Sequence, residues 1–157
     1  MIQSLNKVRL LDLVYFLKNN HSTDFYITEN NIRKYPSSKK EIKRLLKISK
    51  YGYFSEEKDE TNGIILVWES IGNNIKRYYV KINAPDKKIA NNLLIVLLWN
   101  CNKQLYVKLK NTSKLVNIFK DKKFNFCGIR GSKADEILLN RNVFVKETQN
   151  GQYEKKE

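Results

Sequence analysis

The stretch YYVKINAPDKKIANNLL, Tyr78 to Leu94, constrains the fold more than any other part of the chain. An aromatic and β-branched run stops at Ala84-Pro85, and an apolar helical pattern over Lys87 to Asn100 starts at once. KQLYVKL follows with the alternation of a strand. A strand, a helix and a strand joined this tightly imply parallel neighbours linked by a crossover. The helix is apolar on most sides, so it belongs inside the molecule.

Antiparallel signals surround this unit. YGYFSEE and GIILVWES flank the charged, Asn-Gly-bearing KDETNG, and KRYYVKINA follows the turn IGNN. Together they predict a three-stranded meander across Tyr51 to Ile82. Upstream, Val8, Leu11, Val14, Tyr15 and Leu17 or Lys18 recur at helical spacing over Val8 to Asn19, and FYIT is a short extended piece. Ser37 or Ser38 caps a second helix, KKEIKRLLKIS, with Ile42, Leu45, Leu46 and Ile48 inward. Downstream, Ser113 to Lys122 reads as a helix, and FNFCGIRG and DEILLNRN as two last strands. The expectation is α/β (α+β): a mixed, mostly antiparallel sheet of about six to seven strands flanked by about four helices. Two parallel strands in such a sheet tend to splay, and the opening can admit a ligand. One domain is expected over 1–145, with the polar 146–157 as a flexible tail.

Charge narrows the partners. Thirty Lys and Arg against sixteen Asp and Glu leave a net +14. Such a chain meets polyanions, whether nucleic acid, ribosome, anionic membrane or a phosphorylated cofactor, although a Lys-, Asn- and Ile-rich composition also follows from AT-rich codons. The basic, tyrosine-bearing segment IRKYPSSKKEIKRLLKISKYGYF holds Arg33, Lys34, Lys39, Lys40, Lys43 and Arg44 as candidates for nucleic-acid contact, and Arg130 in GIRG is another. An amphipathic helix with a solvated lysine face explains the same residues. Cys101 and Cys127 have neither zinc nor disulfide-framework spacing, and His21 is the single histidine. No metal is therefore expected, and the location is expected to be cytoplasmic. The longest apolar run, Leu93 to Trp99, falls short of the roughly 20 residues that span a bilayer.

The order of elements resembles the GNAT superfamily of N-acetyltransferases, in the manner of a divergent phage or mobile-element member. KRYYVKI stands as the fourth strand, APDKKIANNLL as the pyrophosphate turn and its helix, and KQLYVKL as the fifth strand. SKLVNIFKDKKFNFCGIRG resembles the helix that enters the sixth strand, with Phe124, Gly128 and Gly131 where such sequences often have Phe and Gly, and EILLNR suits the seventh. The resemblance covers about Ser38 to Arg141. It implies a sheet splayed between the fourth and fifth strands and acetyl-CoA as acyl donor. The coenzyme would lie against Val80, Lys81, Ile82 and Asn83, against Lys87, Lys88, Ile89 and Ala90 at the helix start, and against Phe119. It also implies an N-acyltransferase, monomer or homodimer, whose acceptor on this charge is nucleic acid, tRNA or a ribosome-associated particle.

Two positions depart from the family. Its glycine-bearing turn pattern falls on Pro85, Lys88 and Ala90, and only Ala90 conforms. Without glycine, the expected cradle consists of unpaired N–H groups of Lys87 to Ala90, the helix dipole, and lysine charge. Alternatively, Pro85 and Asp86 simply start a helix. Phe119 stands where many members carry a tyrosine that protonates the leaving thiol; Ser113, Cys127, Tyr106 or solvent remain as donors. For the base, Glu69 closes ILVWES directly after Trp68, whose bulk is expected to raise the carboxylate's pKa, with Glu56 a weaker second. The competing expectation is a non-catalytic nucleic-acid-binding or host-interaction protein. It would use a GNAT-like scaffold or a winged helix, with SSKKEIKRLLKIS as recognition helix.

Overall fold

Alternation in the central strands decides which side of the sheet each residue takes, and the helices follow from it. The computed structural model describes residues 1–30, 32–72, 74–130 and 134–142, with the backbone of two short strands beyond. In chain order the elements are β1 (Ile2–Ser4), α1 (Leu10–Asn19), β2 (Ile27–Glu29), β3 (Ile32–Lys34), α2 (Lys39–Ile48), β4 (Tyr51–Glu57) and β5 (Glu60–Gly72). Then come β6 (Ile75–Asn83), α3 (Lys87–Asn100), β7 (Leu105–Lys110), α4 (Leu115–Asp121), β8 (Asn125–Arg130), β9 (Glu136–Arg141), β10 (Val145–Glu147) and β11 (Tyr153–Lys155).

Seven strands form one sheet in the order β1-β4-β5-β6-β7-β9-β8. Every pairing in it is antiparallel except β6 with β7. Ile65, Val67, Val80, Ile82, Val107 and Leu109 pack against Leu93, Leu94 and Leu97 of α3 and Phe119 of α4. On the other face Phe54, Ile64 and Leu66 meet Leu13 and Phe16 of α1 and Ile42 and Leu45 of α2. Each face thus buries its own apolar core. At the start of α2, Ser38 accepts the Glu41 amide while the Glu41 carboxylate accepts the Ser38 amide, a capping box.

The Asn-Gly of KDETNG does not make the expected turn. The chain reverses at Lys58 and Asp59, both in the left-handed region (φ 51° and 63°), and Asn62-Gly63 lies within β5. Gly63 is a packing residue. A Cβ there would stand 2.9 Å from Ile89 Cγ2 and 3.0 Å from Leu93 Cδ1, so α3 can approach β5 only over glycine. The winged-helix arrangement does not form either, because β4 and β5 are interior strands of the large sheet. FYIT runs into β2, whereas β1, the partner strand β3 and the β10–β11 pair escaped the sequence patterns. Most of 146–157, and Gly131, lie outside the described residues.

Candidate functional site

The parallel pair β6–β7 is registered at only two positions, Tyr78 with Leu105 and Tyr79 with Tyr106. Beyond them β6 continues to Asn83 and β7 to Lys110 without pairing, so the sheet parts. Along β6, Val80 and Ile82 enter the α3/α4 core while Lys81 and Asn83 take the opposite face. Residues 20–26 between α1 and β2 cross that face. Asn83 Nδ2 donates to the Asn20 carbonyl (2.6 Å), and the Lys110 amide donates to Asp24 Oδ1 (2.9 Å).

Under this crossing lies a buried polar cluster. Lys81 is 7% exposed, with Nζ 4.1 Å from the centre of the Tyr26 ring. The Tyr26 hydroxyl donates to Glu136 Oε2 (2.6 Å), and Arg33 donates to Glu136 Oε1 (2.5 Å) while its guanidinium lies 4.7 Å from the same ring. Glu136 thus accepts two hydrogen bonds at 2% exposure, the one from Arg33 charge-assisted. Burial and the nearby Lys108 ammonium push the Lys81 pKa down to about 8, against the pull of Glu136 and Asp24. Burial and the bond to Glu136 drive the Tyr26 hydroxyl well above its ordinary value, so it stays a phenol. The cluster combines one proton-exchanging amine with a fixed scaffold.

The expected site residues are distributed differently from the sequence reading. Lys87 and Lys88 are exposed at the start of α3, as expected, but the amides there are not free. Asp86 Oδ1 accepts from the amides of Lys88 (2.8 Å) and Ile89 (3.2 Å), and the Asp86 carbonyl accepts from Ala90. A carboxylate thus fills the helix N-terminus, as N-cap residues do. Ala90 is buried, and Phe119 packs edge-to-face on Phe124 (5.0 Å) in the core. Lys114 Nζ reaches from the start of α4 to the Pro85 carbonyl (3.2 Å), joining the two turns.

Glu69 overturns its expected pKa. Lys76 (3.2 Å) and Lys50 (3.4 Å) hold its carboxylate below the ordinary range, while Trp68 packs on the opposite face of the sheet. Glu56 lies at the far edge, accepting from Gln3 Nε2 (2.6 Å) beside a shallow cleft of about 190 Å³ that shares no residue with the cluster. Ser113 Oγ accepts the Leu115 amide (3.2 Å) and starts α4. Lys39, Lys40, Lys43 and Arg44 stand exposed on α2, Lys34 is exposed on β3, and Arg130 is exposed on the edge strand β8. Of the basic candidates only Arg33 enters the cluster. His21 is exposed and stacks on Tyr35 (4.8 Å). Among the described residues, no group of three or more His, Cys, Asp or Glu is placed to hold a metal, and no helix is long and apolar enough to cross a membrane.

Sequence reasoning named Lys81 only as a coenzyme contact and missed its buried amine, together with Tyr26, Asp24 and Glu136. The usable signal was KRYYVKIN itself. A strand buried on both faces that still alternates Arg77, Tyr79, Lys81 and Asn83 with apolar residues keeps a polar side for a reason.

No protein-family model matches the chain, and no curated protein matches it in sequence. Solved structures do. A ribosomal-protein-alanine N-acetyltransferase from Brucella melitensis superposes with a TM-score of 0.70 at 10% identity, over 90% of this chain and 98% of its own. An N-acetyltransferase from Staphylococcus aureus gives 0.69 at 13% identity, over 91% and 97%. YncA from Salmonella typhimurium, solved with its cofactor acetyl-CoA, gives 0.63 at 13% identity, over 97% of both chains. At these identities the likeness is one of fold, and the fold is that of the GNAT acetyltransferases.

Proposed function

We propose that this GNAT-fold chain transfers an acyl group from a coenzyme A thioester to an amine on a polyanionic acceptor. The observation that carries the proposal is the parting of β6 from β7 beyond Tyr79 and Tyr106, with the amine of Lys81 buried beside it. Acyl transfer needs an amine relieved of its proton, donors for a developing oxyanion, and an exit for the thiol.

At the acyl end the residues fit such a donor. When bound, the thioester supplies an electrophilic acyl carbon and a thiol leaving group. The β6 backbone between Val80 and Asn83, left without a partner strand on the β7 side, offers amide hydrogens toward the gap. Lys81 is partly a neutral amine near pH 8 and takes the proton that the acceptor nitrogen loses. Glu136 and Arg33 fix the Tyr26 ring, and that ring fixes Lys81. At the diphosphate end the fit is by charge. Asp86 occupies the amides, so Lys87 and Lys88, with Lys114 across the mouth, are the groups that would hold the phosphates.

A second reading, a nucleic-acid-binding protein without acyl chemistry, is favoured by one observation, the Asp86 carboxylate seated where a phosphate would go. Thermal unfolding with CoA and acetyl-CoA, coupled to a thiol-release assay over nucleoside, polyamine and peptide amines, separates the two. The acyltransferase reading expects a rise of several degrees at saturating ligand. It also expects thiol release that Lys81→Met abolishes while keeping the rise. No rise with either ligand and no thiol release leaves only the second reading.

A further inference from the structure

The polar face of β6 and β7 does not end at Lys81. Toward the paired end of the two strands it continues as a row in which two cations flank a pair of tyrosines. The Arg77 guanidinium lies 4.8 Å from the centre of the Tyr106 ring, the rings of Tyr106 and Tyr79 are 5.8 Å apart, and Lys108 Nζ is 5.1 Å from the Tyr79 ring. All four side chains are half-exposed. The core on this side of the sheet draws α1 and α2 onto β4 and β5, and the row stands outside it. On the described residues of this face across β6, β7 and β9, Glu136 is the one carboxylate, and Arg33 and Tyr26 already engage it.

We propose that this row is the seat of the acceptor and that the acceptor is a single-stranded segment of nucleic acid. Phosphates engage Arg77 and Lys108, and a base stacks against the Tyr79–Tyr106 pair. The row runs directly to the parting at Lys81, so a segment laid along it brings a base amine to the cluster. Cations alone attract any polyanion. Tyrosines set between them add a term that only unpaired bases collect, worth about 1–3 kcal/mol per stacked base. A duplex hides its base faces, and an acidic peptide has none. The inference takes its direction of chemistry from the acyl-transfer reading, but its test needs no thioester.

Fluorescence anisotropy of labelled 12-residue DNA and RNA single strands, without coenzyme, measures the affinity, with the matching duplexes and poly-glutamate as competitors. The two single-strand arms distinguish the sugar. Tyr79→Leu with Tyr106→Leu is expected to weaken single-strand binding about tenfold and leave the salt slope unchanged. Arg77→Gln with Lys108→Gln is expected to lower the slope of log K against log salt by about 1.4, at roughly 0.7 per phosphate contact on a single strand. Lys39→Gln with Lys43→Gln on α2 serves as the control and is expected to stay within twofold. Photocrosslinking of a bromouracil-substituted strand to the unaltered chain, mapped by mass spectrometry, is expected to mark Tyr79 or Tyr106 and needs no variant to fold. Crosslinks confined to α2, or duplex and poly-glutamate competing as well as single strands, overturn the inference. Thiol release that fails while the crosslinks map to the tyrosines removes the acyl chemistry and leaves the binding site standing.

Discussion

Lys81 carries an uncommon burden for a lysine, because burial takes more from its ammonium than the Tyr26 ring and the attraction of Glu136 and Asp24 give back. The Tyr26 ring lies 4.1 Å away, and burial with Lys108 brings the pKa from 10.5 to about 8. Between those two values the unfolded chain holds a proton that the folded chain has released. Stability therefore rises with pH from about 8 to 10.5, and the full penalty is present below pH 8. That interval corresponds to roughly 3 kcal/mol. Lys81→Met, which keeps the stem and removes the charge, is expected to be more stable than the parent at pH 7 by up to ~3 kcal/mol, an advantage that closes toward pH 10. Urea unfolding of both proteins at pH 7, 8.5 and 10 measures it. A variant less stable at pH 7, with a deficit independent of pH, contradicts the buried-cation picture. This residue also marks how far a sequence reading reaches. Position 81 was legible as strand, and its polar alternation was visible, but the burial depends on residues 20–26 crossing the sheet. That contact is 55 or more positions away in the chain, and no local pattern encodes it.

α3 shows the same boundary for an element. Its range was legible to the residue, because Pro85 and Asp86 punctuate a helical pattern of apolar side chains. The use of its N-terminus was not, since the same Asp86 that starts the helix also occupies its amides. Gly63 was misread for a related reason. A glycine signals either a turn or a close approach, and only the packing of Ile89 and Leu93 over it decides which. The occupied terminus makes a prediction in which stability and affinity move in opposite directions. Asp86→Gly removes a like charge and releases the Lys88 and Ile89 amides, at a cost of a few tenths of a kcal/mol in helix capping. Isothermal calorimetry with CoA and ADP is expected to show affinity at least several-fold tighter than the parent, at a slightly lower unfolding temperature. Equal or weaker binding means that the diphosphate does not meet α3 at its start.

The sheet as a whole partitions the chemistry. α3 and α4 pack on one face and the lysine–tyrosine cluster sits on the other, so under the proposed acyl transfer donor and acceptor would approach from opposite sides and meet where β6 and β7 part. A direct transfer then requires both ligands at once. The alternative is a covalent acyl-protein, which needs a nucleophile at the gap. Cys101 is buried at the end of α3, Cys127 is exposed on β8, and Ser113 Oγ is engaged at the start of α4. Acylated Lys81 would be an amide too stable to pass the group on. Initial rates measured while both substrates vary are accordingly expected to give intersecting double-reciprocal lines, with no burst of thiol before acceptor is added. Mass spectrometry after incubation with acetyl-CoA alone is expected to find the chain unmodified. Parallel lines together with a stoichiometric burst would place a nucleophile at the parting and make the two faces successive stations instead of simultaneous ones.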